Sequence, residues 1–229
     1  MEDNITLGKL FVVATPIGNL KDITFRAIEI LNKVDIILAE DTRRALKLLN
    51  YYNIKKHIES FFVGNEYKKT PRVINKLLNG KNIALISESG TPCISDPGNY
   101  LVSECHKNRI PVIPIPGPSA FVAALSVSGI ASVPFLFIGF LPRSAKKRNK
   151  ILKKIENLEW NVILYESPHR VKKTLNLLKD YFGNLKIFLF KELTKAFECI
   201  KISNIDNILS KTDDNIKGEY VIIFNPKIY

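Results

Sequence analysis

Six of the twelve prolines lie between Pro92 and Pro118, and five of these are in two loops at residues 87–98 and 114–120. Each loop follows a short apolar run and precedes a stretch with helical spacing. Proline fixes the backbone and glycine allows another chain segment to approach closely, so such loops hold a defined shape. A strand, a rigid loop and a helix, repeated on neighbouring units, are typical of an open α/β sheet, in which ligands bind at the carboxyl ends of strands. The sequence therefore predicts an α/β fold with a ligand site at these loops.

Strands and helices alternate through the first half of the chain, and the pattern changes after Ser128. We predict strands at residues 9–14, 36–39, 58–63, 82–86 and 109–115, and helices at 23–34, 42–52, 71–78, 100–107 and 118–127. The later part predicts strands at 135–140, 160–165, 185–190, 197–202 and 219–224, with helices at 144–158 and from Pro168 to Phe182. We therefore expect a mostly parallel βα-repeating domain over residues 1–128 and a mixed-sheet α/β domain over 129–229.

The charge and the cysteine content indicate the type of partner and the cellular compartment to expect. The net charge of +12 favours a polyanionic partner, most plausibly nucleic acid, although 26 lysines against 8 arginines are also typical of an AT-rich genome. No apolar run reaches the roughly 18 residues of a membrane span, and the acidic start does not resemble a signal peptide. Three cysteines without metal-ligand spacing indicate reduced thiols, so we expect a cytoplasmic protein.

Two polar segments follow the first and second predicted strands. The turn from Pro16 to Asn19 can present backbone N–H groups to an anion, but it is neither a dinucleotide nor a phosphate-loop motif, and a purely structural turn stays open. Residues 40–43, Glu-Asp-Thr-Arg, can position a substrate hydroxyl or phosphate. Alternatively, these acids match the dipole of a helix, with Asp41 as its cap.

Two later segments are also ambiguous. Residues 165–170 contain Ser167 and His169, but a nucleophile–base pair is disfavoured at that spacing, and a helix cap at Ser167 with Pro168 behind it is the simpler interpretation. The basic run from Arg143 to Lys154 is either a solvated helix face or a surface for RNA phosphates.

Seven segments, taken in order, carry a specific resemblance: residues 13–20, 39–43, 87–98, 116–120, 139–142, 165–170 and 192–195. Their order and spacing resemble the ribosomal RNA small-subunit methyltransferase I family, from about Gly8 to Asn225. The resemblance implies the tetrapyrrole-methylase (class III methyltransferase) type of fold, with two α/β domains and a cofactor cleft between them, and a homodimer. It implies methylation of the ribose 2′-oxygen of a cytidine in small-subunit ribosomal RNA, with S-adenosylmethionine as cofactor and no metal.

The resemblance also carries residues over to this chain. In the first domain the expected cofactor-binding residues are Pro16, Ser87, Glu88, Gly90, Thr91, Asp96, Pro116, Gly117, Ser119 and Ala120. In the second domain they are Phe137, Gly139, Phe140, Leu141, Tyr165 and Thr194. The residues expected toward the RNA are Asn19, Glu40, Asp41, Arg43, Glu166 and Arg170.

The chain departs from the family pattern at several positions. Glu88 stands where the family usually has Asp, so we expect a shifted cofactor contact there. Phe62 replaces a family His, and Lys191 replaces an Arg, which removes a bidentate fork. Many members continue beyond the position of Tyr229, so RNA binding is expected to depend on the basic helix and on a dimer partner.

The expected reaction is in-line attack of the ribose 2′-oxygen on the methyl carbon, with much of the acceleration supplied by positioning. The hydroxyl must lose its proton, and we name Asp41 or Glu166 as the acceptor, since each lies in a polar loop at a strand end. Arg43 and Arg170 are expected to hold flanking phosphates. Two other functions stay open: a methyltransferase of corrinoid or porphyrin precursors, and a non-catalytic RNA-binding module.

Overall fold

The computed structural model describes residues 6–130, 134–211 and 217–227. The chain forms two compact units, Met1–Ser119 and Ala120–Tyr229. Within the described ranges, no helix combines the length and the apolar character needed to cross a bilayer.

The first unit is built on a five-stranded sheet in which all strands are parallel. The strands are β1 (Leu10–Val13), β2 (Ile36–Ala39), β3 (His57–Ser60), β4 (Ile83–Ile86) and β5 (Val112–Ile115), in the order β3-β2-β4-β1-β5. Sheets with helices on both faces have strands that are apolar throughout. This explains why β2 and β4 consist entirely of buried residues.

Four helices cover the two faces of this sheet: α1 (Phe25–Lys33), α2 (Thr42–Tyr51), α3 (Glu66–Leu78) and α4 (Asn99–Lys107). Alternate residues of each strand point to opposite faces. Ile37 therefore packs with α1 and α2, whereas Ile36 and Leu38 pack with α3 and α4. The predicted parallel βα domain is confirmed at the level of its sheet.

Helix α3 begins at Glu66, so the predicted start at Pro71 is wrong. The Thr70 hydroxyl donates to the Glu66 carbonyl inside the helix, at 2.8 Å. The reason is a distant contact: the buried Glu66 carboxylate accepts from the backbone N–H groups of Gly98 and Tyr100, at 3.0 and 3.1 Å. The first turn of α3 thus caps the start of α4.

The second unit has a mixed sheet, as predicted. Its elements are α5 (Ala120–Val127), β6 (Phe135–Phe140), α6 (Ala145–Ile155), β7 (Asn161–Glu166), α7 (Val171–Phe182), β8 (Lys186–Lys191), β9 (Cys199–Asn204), α8 (Ile205–Ser210) and β10 (Tyr220–Phe224). The order is β6-β7-β10-β8-β9, with β6 and β7 parallel and the other pairs antiparallel. Helices α6, α7 and α8 pack on one face and α5 on the other.

Three local features differ from the sequence analysis. Helix α5 groups with the second unit, because Ala124 packs on β7, β8 and β10, so the unit boundary lies earlier than the pattern change at Ser128. Helix α8 was not predicted. Ser167 does not cap α7, which begins after Arg170; the Ser167 carbonyl accepts from the N–H of Arg170 and of Val171 in a turn.

Candidate functional site

In the first unit, the loops after β1 and β4 are joined by backbone hydrogen bonds. Thr15 and Gly90 exchange two bonds, of 2.8 and 3.0 Å, and the Thr15 hydroxyl donates to the Ser87 carbonyl at 3.3 Å. Gly90 has a φ of 81°, which favours glycine. Pro16 follows directly and is buried. The predicted cofactor residues Pro16, Ser87 and Gly90 therefore lie in one interlocked pair of loops.

The loop after β5 joins the same group. The Thr91 hydroxyl donates to the Pro118 carbonyl at 3.1 Å. A Cβ on Gly117 would lie 3.0 Å from the Cβ of Ala14, so any larger residue would press this loop away from the end of β1. Pro116 and Gly117 themselves are exposed. The sheet order explains the convergence, since β1 lies between β4 and β5.

The hydroxyls of this loop group serve the loops themselves. Ser87 Oγ donates to the Gly90 carbonyl at 3.1 Å, and the Thr91 hydroxyl donates to the Pro118 carbonyl. A hydroxyl oxygen that donates in this way can still accept from a ligand. Asp96 and Ser119, both half-buried, are the other polar side chains predicted for the cofactor here. The group thus offers hydroxyl, carboxylate and exposed backbone groups on a rigid frame.

Asp41, after β2, is the N-cap of α2. Its Oδ1 accepts from the N–H of Arg43 at 2.8 Å and of Arg44 at 3.4 Å, and its Oδ2 accepts from the Arg43 guanidinium at 2.8 Å. The Arg43 side-chain hydrogen bond is the main reason why the pKa of Asp41 lies well below its usual range. The predicted cap is confirmed.

Glu40 differs from its neighbour Asp41. The Glu40 side chain is half-buried, and within the described part of the chain no hydrogen bond to its carboxylate is formed. Burial, and then the negative charge of Glu88, raise the pKa of Glu40, while Arg44 opposes the shift. Glu88 itself pairs with Arg44, Oε2 to Nη1 at 2.7 Å. The structure thus places Glu88 with Glu40 and Arg44.

Asn19 also has a local structural role. Its side chain caps a short 3-10 turn, Leu20–Asp22, by accepting from the Lys21 N–H at 3.1 Å. Asn19 is exposed in the loop after β1.

In the second unit, aromatic side chains gather where β6 and β7 meet α5. Phe137 stacks on Phe121 with ring centres 4.4 Å apart and meets Tyr165 edge-on at 4.9 Å, and Phe140 contacts Tyr165 at 5.6 Å. The Tyr165 hydroxyl accepts from the Phe121 N–H at 3.2 Å, near Ala120 at the start of α5. The pairing of β6 with β7 shifts register between Phe137 and Phe140, around Gly139.

Glu166, at the end of β7, is buried and fully engaged. Its carboxylate accepts from the Thr174 hydroxyl at 2.7 Å and from the Ser167 N–H at 2.8 Å, and it lies 3.4 Å from Nε of Arg170. Arg170 also donates to the Leu141 carbonyl at 2.6 Å, which ties the loop after β6 to the loop after β7. These contacts are internal to the second unit.

Thr194 lies in a tight turn after β8. Glu192 and Thr194 have positive φ values of 51° and 65°, and the Thr194 N–H donates to Glu198 at 2.6 Å. Lys195 holds the turn by pairing with Glu192 at 2.8 Å and with Glu219 at 2.9 Å.

Helix α6 carries a continuous lysine surface. Its exposed lysines are Lys146, Lys147, Lys150, Lys153 and Lys154. At 100° per residue they occupy an arc of about 120°. The opposite side buries Leu152 and Ile155. No acidic residue lies within α6, so no i,i+4 partner offsets this charge.

Comparison with known proteins places the chain in a family. The family described as Tetrapyrrole (Corrin/Porphyrin) Methylases matches residues 9–209. Ribosomal RNA small subunit methyltransferase I of Pasteurella multocida is 45% identical over 99% of this chain and 82% of its own length. The protein of the same name from Thermotoga maritima is 46% identical over 96% of this chain and all of its own length. The chain belongs to the ribosomal RNA small subunit methyltransferase I family.

Solved structures share the fold of this methyltransferase I family member at low sequence identity. Diphthine synthase superimposes with a TM-score of 0.76 at 14% identity, over 96% of this chain and 91% of that chain. Uroporphyrin-III-C-methyltransferase from Thermus thermophilus superimposes with a TM-score of 0.65 at 17% identity, over 94% of each chain. The predicted family and fold class are confirmed.

Several residues that shape the site in this methyltransferase I family member were missed by the sequence analysis. Thr15 lies in the segment 13–20, but only its neighbour Pro16 was predicted to belong to the site. Arg44 follows Arg43 directly, and only the pairing of β2 with β4 shows that it reaches Glu88. Thr174 lies one helical turn after Arg170, a spacing that points toward the start of the helix. Glu66 gave no local signal at all.

Proposed function

We propose that this chain is an S-adenosylmethionine-dependent methyltransferase that modifies the ribose 2′-oxygen of a cytidine in small-subunit ribosomal RNA. The observation that carries the proposal is membership of the methyltransferase I family over nearly the whole chain. The fold and the interlocked loops of the first unit are consistent with it. The proposal includes a homodimer that acts in the cytoplasm, both of which the family resemblance implies.

The residues present fit the cofactor. In the first unit, the rigid loops after β1, β4 and β5 offer Asp96, Ser119 and the exposed backbone around Gly117 for the amino-acid and ribose groups. In the second unit, Phe140 is half-exposed and Tyr165 half-buried, so their rings offer apolar surface to a purine. We assign Pro16, Ser87, Gly90 and Thr91 to shaping the loops.

S-adenosylmethionine supplies an electrophilic methyl group. The residues of the chain must then hold the acceptor ribose and receive the proton of its hydroxyl. General bases work best when their pKa lies near the working pH. Glu40 fits this requirement, because its pKa is raised and its oxygens are not engaged in hydrogen bonds with the described residues.

Asp41 and Glu166, the two acceptors that the sequence predicts, are less suited to this step. Asp41 is held by Arg43 and by the start of α2, and its pKa is lowered, which weakens it as a base. Glu166 is 1% exposed and already accepts hydrogen bonds from the Thr174 hydroxyl and the Ser167 N–H. We therefore assign the proton to Glu40 and structural roles to Asp41 and Glu166.

Arg43 and Arg44 lie beside Glu40 on the exposed first turn of α2. Guanidinium groups bind phosphates in a bidentate manner, so these two side chains are suited to the phosphates that flank the target ribose. We expect the target nucleotide to lie in a single-stranded segment, because sequence-specific RNA recognition uses unstacked nucleotides that can be splayed out into a site.

The rival function is methylation of a small corrinoid or porphyrin precursor. The lysine surface of α6 favours RNA, since a small substrate does not need five exposed cations on one helix. The triple variant Lys146→Glu/Lys150→Glu/Lys153→Glu separates the two functions. We expect it to abolish RNA methylation while cofactor binding is retained, and the corresponding triple Gln variant to have an intermediate effect. Unchanged turnover in the Glu variant would favour the small substrate.

Transfer of a labelled methyl group to ribosomal subunits tests the proposal directly. Unmodified small subunits are incubated with the protein and labelled S-adenosylmethionine, and the labelled nucleoside is mapped. We expect a 2′-O-methylcytidine at one position and no incorporation into subunits that already carry the modification. Calorimetry with S-adenosylmethionine distinguishes the methyltransferase from a non-catalytic RNA-binding protein, because the latter would show no cofactor binding.

A further inference from the structure

A cavity of about 300 Å³ opens on the first unit, lined by His57, Glu59, Lys69, Arg72 and Val73. Its floor is the buried Val73, and the other four side chains are ionisable. None of these residues belongs to the predicted cofactor or RNA set. The cavity is large enough for a phosphate group with parts of its neighbouring sugars.

Two elements build the cavity in a regular way. Lys69 and Arg72 lie three residues apart on α3, with Lys76 a turn further, so all three share one helix face. His57 and Glu59 lie two residues apart on β3 and therefore point to the same side of the sheet. Strand β3 is an edge strand of the first sheet, so no further strand covers the space between β3 and α3.

The charges of the cavity do not cancel. The single carboxylate, Glu59, pairs with Lys76 and lies 3.2 Å from Nε2 of His57. The Lys69 ammonium uses two of its three donors on Ser60, on the carbonyl and on the hydroxyl at 2.8 Å. Arg72 is exposed, and its guanidinium forms neither an ion pair nor a hydrogen bond with the residues that the structure describes. One ammonium donor and the whole guanidinium fork are thus available.

The Lys69 end of the cavity lies at the carboxyl ends of the strands, near Glu40, whereas His57 lies at the amino end of β3. Ser60 pairs with Ala39 across β3 and β2, and the Phe61 N–H donates to the Ala39 carbonyl at 2.7 Å. Lys69 is therefore anchored one strand away from the residue that precedes Glu40, a spacing of about 4.8 Å. A polynucleotide whose ribose lies at Glu40 can extend over β3 toward Lys69, which is one strand away.

We propose that this cavity binds a backbone phosphate of the RNA strand that carries the target ribose, with Arg72 as the bidentate donor and Lys69 as the third donor. A phosphodiester carries one negative charge, which two uncompensated cations attract even with Glu59 nearby. The inference rests on the proposed function, because it names a contact of the same substrate outside the methyl-transfer residues.

Binding of a short single-stranded RNA that spans the methylated position tests the inference. The variants are Arg72→Ala, Arg72→Lys and Lys69→Ala, with Lys33→Ala as matched control. Lys33 pairs with Glu29 near the end of α1, which packs on the face of the sheet opposite to α3. The RNA dissociation constant is measured from 50 to 200 mM salt, alongside the cofactor dissociation constant and the melting temperature.

We expect Arg72→Ala to weaken RNA binding about tenfold and to lower the salt slope by about one. Arg72→Lys should retain the salt slope but bind less tightly than the wild type, because the charge stays and the fork is lost. Lys69→Ala should behave like Arg72→Ala, and Lys33→Ala like the wild type. Cofactor affinity should stay unchanged in all four variants, and the melting temperature should fall only in Lys69→Ala, which loses its hydrogen bonds to Ser60.

Two outcomes distinguish this inference from the function on which it rests. If the wild type methylates the RNA but Arg72→Ala and Lys69→Ala bind RNA like the wild type at every salt concentration, the phosphate site is refuted and the function stands. If the variants lose salt-dependent binding but the wild type transfers no methyl group to unmodified subunits, the site is supported and the proposed function fails.

Discussion

Two glutamates at strand ends precede helices, yet their surroundings are opposite. Glu40, after β2, is half-buried, and its carboxylate forms no hydrogen bond with the described residues. Glu166, at the end of β7, is 1% exposed, accepts from Thr174 and Ser167, and forms an ion pair with Arg170. The first carboxylate is available for chemistry, and the second holds the local structure together.

The difference follows from where each residue stands relative to its ladder. Glu166 is the last paired residue of β7, opposite Tyr220 of β10, so it is still inside the sheet. Glu40 comes one residue after Ala39, the last paired residue of β2, and therefore lies outside the sheet. A shift of one residue past the strand end separates a buried structural acid from an open one.

The substitution Glu40→Gln should have the largest effect on activity. It keeps the shape of the side chain and removes the proton acceptor, so we expect the single-turnover methylation rate to fall about 10²- to 10⁴-fold. Cofactor affinity and melting temperature should stay unchanged. Glu29→Gln, a change of the same kind on the surface of α1, is the control; a wild-type rate in Glu40→Gln would remove it as the base.

The substitution Glu166→Ala should affect stability instead. It leaves the Thr174 hydroxyl and the Ser167 N–H without an acceptor and Arg170 without its anion, which costs about 3 kcal/mol. The melting temperature should fall by roughly 6–12 °C, and Thr174→Val should produce a smaller loss. If Glu166→Ala melts like the wild type, the buried network does not stabilise the unit.

The substitution Asp41→Asn should have a small effect, because asparagine also caps helices well. The exposed pair with Arg43 contributes little, so turnover should stay within about fivefold of the wild type. If Asp41→Asn loses as much activity as Glu40→Gln in the same single-turnover assay, Asp41 is the proton acceptor.

The substitution Glu88→Gln should change pH dependence more than maximal rate. The charge of Glu88 raises the pKa of Glu40, and Glu88 also partly neutralises Arg44. Removing the Glu88 charge therefore lowers the pKa of Glu40 on both counts. We expect the acid limb of the rate profile to move to lower pH; a limb that does not move would show that Glu88 and Glu40 are not coupled.

The comparison also shows how far the sequence can predict such sites. Strands β2 and β4 were predicted well, because helices on both sheet faces make them apolar throughout. The start of α3 was not, since it depends on Glu66 reaching Gly98, 32 residues away. Both glutamates were predicted as site residues from their motifs. The role of Glu166 depends on the pairing of β7 with β10, and that of Glu40 on the nearby charge of Glu88. No local sequence pattern indicates either contact.

The most direct test of the account is the pH dependence of the single-turnover methylation rate, at saturating cofactor and RNA, for the wild type and Glu40→Gln. The account predicts that the acid limb of the wild-type rate lies at a higher pH than the pKa of an unperturbed glutamate, because burial and the charge of Glu88 raise the pKa of Glu40. It predicts that the acid limb is absent from Glu40→Gln. An acid limb that persists unchanged in Glu40→Gln would contradict the account.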